Sequence, residues 1–160
     1  MAPQSAVDRE MAPRLLRGAS GAMIVALGSA LASYAVPIAD AGTGLLHESP
    51  VRHFLFRPHI DNLESSWGGQ PVRLLLMATI WCLATTLIMA VGARRNPRTA
   101  ASRWLVALSL ASTGLSVGVL VALRDYLGEG AMAPGAILAC GLTGGALLGA
   151  LILNHRRPPG

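Results

Sequence analysis

The stretch WLVALSLASTGLSVGVLVAL, residues Trp104–Leu123, contains no charged side chain. Three more stretches share this property: GASGAMIVALGSALASYAVPIA (Gly18–Ala39), LLLMATIWCLATTLIMAVGA (Leu74–Ala93) and GAMAPGAILACGLTGGALLGALILN (Gly130–Asn154). Each reaches the ~20 apolar residues that an α-helix needs to cross the hydrocarbon core of a bilayer. Every Arg, Asp and Glu falls between or outside them. A helix in water needs a polar face, and these have none. The sequence therefore predicts an all-α integral membrane protein, a four-transmembrane-helix bundle with a short extracytoplasmic loop.

Working outward, the spans are expected near 18–39, 71–93, 104–123 and 131–154. They form one membrane domain over 18–154, with a loop over 40–70 and tails over 1–17 and 155–160. Hydrophobic residues make up 52% of the 160 residues against 13% charged, a balance that fits the membrane class. No connecting segment is long enough to build a separate water-soluble core. The net charge of +5 would point to nucleic acid in a soluble protein. Here the placement of the arginines accounts for it, and no nucleic-acid partner is expected.

That placement also orients the chain. Arg9, Arg14, Arg17, Arg94, Arg95, Arg98, Arg103, Arg156 and Arg157 lie on one side of a four-span topology; Arg52, Arg57, Arg73 and Arg124 lie on the other. The bias of basic residues toward the cytoplasm places both termini there. All thirteen basic residues are Arg, with heavy use of Ala and Gly, as in GC-rich bacterial genomes. The expected location is the bacterial cytoplasmic (inner) membrane, multi-pass. A second reading treats the first span as a cleavable signal, because small-residue sites (Ser33-Tyr34-Ala35, Ala39-Asp40-Ala41) follow its apolar run. Met11-Ala-Pro repeats Met1-Ala-Pro, so Met11 is an alternative start.

Prolines agree with these bounds: Pro37 follows the first span, Pro71 opens the second, and Pro134 sits in the first turn of the fourth, where a missing N–H costs nothing. Trp67 and Trp104 lie beside span ends, at headgroup level. Trp81 lies inside a span and is expected to pack or to find a hydrogen-bond acceptor.

Five constellations stand out. Gly141, Gly145 and Gly149 recur every four residues, giving the fourth span a flat face for close helix packing, within the bundle or against a partner. Ser109, Ser112, Thr113 and Ser116 share one face of the third span. Hydroxyls are costly against lipid, so this face is expected to turn inward, as helix-packing contacts or as a polar pathway. The first loop holds His47, His53, His59 and Asp61, residue types that bind zinc or copper, although their spacing matches no defined site. Arg94, Arg95 and Arg98 form a basic turn able to contact anionic lipid headgroups. Cys82 and Cys140 fall at similar expected depths and are candidate neighbours, but form no CxxC pair.

The spans lack Asp, Glu, His, Lys and Arg, which removes the usual means of proton-coupled transport. No phosphate-cradling glycine loop and no catalytic triad can be assembled, and no cofactor is expected. The leading expectation is a non-catalytic membrane protein, an accessory, assembly or structural subunit. Its expected partners are membrane lipids and other membrane subunits or copies of itself. The alternatives are a small transporter or channel using the Ser/Thr face, and a membrane-surface enzyme or metal-binding protein using the His-rich loop.

Overall fold

A computed structural model describes residues 6–40, 44–45, 48–56, 63–95, 101–127 and 131–155. Four helices, α1 (Ala6–Ser33), α2 (Leu63–Arg95), α3 (Ala101–Leu127) and α4 (Pro134–His155), carry the fold. Each contains a segment long and apolar enough to cross a membrane: Arg14–Ser33, Pro71–Arg95, Arg103–Leu127 and Pro134–His155. Sequential helices run antiparallel. Leu75 of α2 meets Gly118 of α3, whereas Cys82, two turns further along α2, meets Ser112, two turns earlier on α3. The helices form a ring in chain order, closed by α1 on α4, so that α1 and α3 face one another across its diagonal.

The end of the first span differs from the sequence reading. Helix α1 ends at Ser33, short of the expected span end at Ala39. The N–H groups of Ala35 and Val36 bond back to the carbonyls of Ala32 and Ser33 at 3.0 Å, tightening the last turn. Pro37 then disfavours helical geometry at Val36. The second span begins at Pro71 as expected, although helix α2 itself starts earlier, at Leu63, and carries Pro71 within it. The loop expected over 40–70 therefore contributes its last residues to α2. Pro134 does open α4, where its missing N–H is harmless.

The chain leaving α1 builds a cap over one end of the bundle. Two-residue strands β1 (Ala39–Asp40), β2 (Gly44–Leu45) and β3 (Ala131–Met132) pair antiparallel in the order β2-β1-β3. Asp40 lies opposite Gly44 on one side and Ala131 on the other, tying the α1–α2 loop to the α3–α4 loop. A π-helical turn, Arg52–Phe56, follows. The Ser49 hydroxyl accepts the Arg52 N–H at 3.3 Å and its carbonyl accepts the His53 N–H at 2.9 Å, which starts this turn. Phe54 inserts into the bundle, 2% exposed, with its ring edge-on to Tyr126 of α3 at 5.3 Å.

Small hydroxyl side chains share the interior with apolar ones, and large apolar side chains cover the exterior. Leu74, Trp81, Ile88, Leu110 and Leu148 face outward, whereas Thr79, Thr86, Ser109, Ser112, Ser116 and Thr143 are fully buried. Lipid solvates leucine as well as a protein core does, so helices in a membrane gain by close backbone approach and by hydrogen bonding. The buried face of α4 follows this logic: Gly135, Ala136, Ala139, Thr143, Ala146 and Ala150.

Candidate functional site

The densest chemistry among the described residues is a seam of hydroxyls and thiols through the bundle centre. Helix α2 contributes Thr79, Cys82 and Thr86; α3 contributes Ser109, Ser112 and Ser116. Both trios have the spacing i, i+3, i+7, which sets each on one helix face. Antiparallel packing turns the two faces toward one another.

At the middle of the seam the bonds can be assigned donors. The Thr86 hydroxyl donates to the Cys82 carbonyl at 2.7 Å. Having one proton, Thr86 must accept in its 3.1 Å contact with Ser112, so Ser112 is the donor there. The Ser112 oxygen is then left to accept from the Cys82 thiol at 3.3 Å, a proton that the thiol shares with the Leu108 carbonyl, to which it donates at 3.7 Å. The relay runs from thiol to serine to threonine to carbonyl and clamps α2 to α3.

Elsewhere in the seam threonines satisfy themselves. Thr79, Thr113 and Thr143 donate to the carbonyls of Leu75, Ser109 and Ala139 at 2.7–2.8 Å, the usual i−4 bond of hydroxyls in membrane helices. Ser109 and Ser116 make no such bond, although fully buried. The hydroxyl of Tyr34, also fully buried, is likewise without a hydrogen bond. Tyr34 stands just beyond α1 and sends its ring down across the diagonal toward Ser116, with Cys140 of α4 nearby. Cys82 and Cys140 thus serve different sides of the seam, and both thiols are free.

The structure divides the glycine ridge of α4. A Cβ at Gly149 would lie 3.5 Å from Met23 Cβ and 3.6 Å from the Ala19 carbonyl, ordinary contact distances, so this glycine faces α1. Gly141 and Gly145 face outward, and a Cβ at either would have nothing within 4 Å. Neither glycine is needed for close packing among the described residues. Trp81 is 70% exposed on the outer face of α2 and its indole N–H has no acceptor among the described residues, so the expected internal packing is not formed.

Of the loop residues, His47, His59 and Asp61 lie outside the described residues. His53 packs edge-on to Phe54 and its Nδ1 lies 3.1 Å from Glu48 Oε2, across the start of the cap. Among the described residues no three His, Cys, Asp or Glu side chains cluster as metal ligands. Arg94 and Arg95 are exposed in the last turn of α2, with Arg94 Nη1 reaching Gly21 of α1, while Arg98 lies outside the described residues. An apolar groove lies between α3 and α4 at the cap end, lined by Leu120, Leu123, Leu127, Met132 and Ile137 beside Arg124.

Tyr34, Thr79, Thr86 and Thr143 escaped the sequence reading. The signal for Thr79 and Thr86 was present, since with Cys82 they repeat the serine spacing of α3. Tyr34 carried none, because a tyrosine near a span end reads as an interfacial residue.

Four apolar spans wound into a ring make this chain a multi-pass α-helical membrane protein. No protein family, no curated protein and no solved structure matches its sequence or its fold.

Proposed function

We propose that this chain is a non-catalytic subunit of a bacterial cytoplasmic membrane, with both termini in the cytoplasm, that works by packing its helices against partner subunits or further copies of itself. The observation that carries this reading is the outward ridge of α4. Gly141 and Gly145 are exposed, one turn apart, and open to the approach of another backbone. The bundle's own contacts use the opposite face of the same helix. Trp81 supports the reading from another side, since an indole N–H left in hydrocarbon favours a partner carrying an acceptor. The absence of Asp, Glu, His, Lys and Arg from the four charge-free stretches argues against buried acid–base chemistry.

The test is affinity purification in mild detergent of the natural chain and of Gly145→Leu. The reading expects stoichiometric association in the first, and a folded but solitary bundle in the second.

A second reading, a small transporter or channel, has one specific observation behind it: the serine face of α3 lines the bundle centre. Solute flux into proteoliposomes that is lost in Ser112→Ala and Ser116→Ala would favour it. Headgroup contact by Arg94, Arg95 and Arg98 fits either reading, since these arginines sit at the proposed cytoplasmic end.

A further inference from the structure

We propose that the apolar groove between α3 and α4 at the cap end binds one anionic phospholipid, with an acyl chain lying in the groove and the phosphate held by Arg124.

The groove follows from how the start of α4 is held. Gly135, its second residue, lies against the Ser33 carbonyl at the end of α1, and β3, just before it, pairs with β1. Both ties draw this end of α4 toward α1 and leave its other flank open toward α3. Leu120, Leu123 and Leu127 have the spacing i, i+3, i+7, so α3 presents one apolar face to the gap. Leu123 and Ala133 form the floor, 0% and 7% exposed, while Met132 and Ile137 stand at the rim. The groove holds about 380 Å³, inside the ~300–1,000 Å³ range of small-molecule sites.

One cation stands at this otherwise apolar place. Arg124 lines the groove, is exposed and lies in the last turn of α3, less than one turn from Leu127, where the third span ends. Among the described residues it has no ion pair. Asp125, its neighbour in sequence, does not line the groove. A guanidinium at a span end reaches headgroup level, where its planar fork fits two oxygens of a phosphate.

An uncompensated cation beside an apolar channel fits an amphiphile with a negative head and a hydrocarbon tail. In a membrane that amphiphile is a phospholipid. A zwitterionic headgroup brings its own ammonium to its phosphate, whereas a net-anionic one leaves its charge for Arg124. A partner helix would bring apolar surface, but it would compensate Arg124 only with a carboxylate at the same depth, which spans rarely carry.

The test uses the full chain in nanodiscs of phosphatidylethanolamine and phosphatidylglycerol in equal parts, released into native mass spectrometry. The natural chain is expected to retain one phosphatidylglycerol, favoured over phosphatidylethanolamine by roughly fivefold, the preference that one arginine near anionic lipid supplies. Arg124→Gln should bring the two lipids to parity, and Arg124→Lys should keep most of the preference. Ile137→Trp, which fills the groove from its rim, should lose the bound lipid altogether. Met132→Trp fills the same groove from β3 without altering a helix, and should do the same. Arg73→Gln removes a charge from the same end of the bundle but outside the groove, and should change nothing. Circular dichroism selects the variants that keep their helix content. An unchanged preference in Arg124→Gln, an equal fall in Arg73→Gln, or lipid retained in the tryptophan variants would each overturn the proposal. So would a protein that copurifies with the natural chain and is lost in both tryptophan variants.

Discussion

Gly135, the second residue of α4, lies against the carbonyl oxygen of Ser33, the last residue of α1, so closely that a Cβ on it would collide with that oxygen and crowd Val36. The obstacle is backbone, which cannot swing aside as a side chain can. This single approach sets how tightly the first and last spans meet beneath the cap.

Gly135→Ala should therefore destabilise the bundle by about 1–3 kcal/mol, the usual range for overpacking a tight site. Gly141→Ala serves as its control. Nothing lies within 4 Å of a carbon added there, and alanine is the better helix former, so unfolding should be unchanged or slightly harder. Reversible unfolding in mixed micelles compares the two.

The Cys82–Ser112–Thr86 relay predicts coupling rather than a large single loss. Ser112→Ala should cost about 1 kcal/mol, in keeping with interhelical hydrogen bonds in membranes. A double-mutant cycle of Ser112→Ala with Thr86→Val should show that the two losses do not add, since they remove the same 3.1 Å bond. Additive losses would place the stabilisation elsewhere.

Phe54 should anchor the cap. Its ring is buried against Tyr126, so Phe54→Ala should cost about 3 kcal/mol or more and leave the loop open to protease. Phe56, two residues on, is 75% exposed, and Phe56→Ala should leave both stability and protease resistance nearly unchanged.

Orientation is checked independently of packing. With Arg94, Arg95, Arg98 and Arg103 clustered between the second and third spans, a reporter that fluoresces only in the cytoplasm should be active when fused after Gly160. The same reporter inserted within the Arg52–Phe56 turn should be silent. The reverse pattern would invert the proposed topology.

The course of the chain was largely legible in its residues, because charge is excluded from hydrocarbon and its absence over Trp104–Leu123 leaves few structures to choose from. Boundaries were less so. Whether Pro71 begins a helix or lies within one depends on how 63–70 folds, which proline alone does not decide. The inward turn of Ser109, Ser112 and Ser116 agrees with the cost of hydroxyls in lipid. The glycine ridge shows a different limit. Spacing tells that Gly141, Gly145 and Gly149 share a side of α4, but not where its neighbours stand. The ridge in fact straddles an edge: Gly149 meets α1 while the other two look outward. Tyr34 was illegible because its ring reaches across the bundle to a helix distant in sequence.

The central claim, that the outward glycine ridge receives another helix, is tested most directly by photo-crosslinking in native membranes. A photoreactive side chain at Leu148, 63% exposed beside Gly145, is compared with one at Leu110, 61% exposed on α3. The account predicts a discrete protein adduct from position 148, lost in Gly145→Leu, and none from position 110. Lipid adducts alone from position 148, or equal protein adducts from both positions, would contradict it.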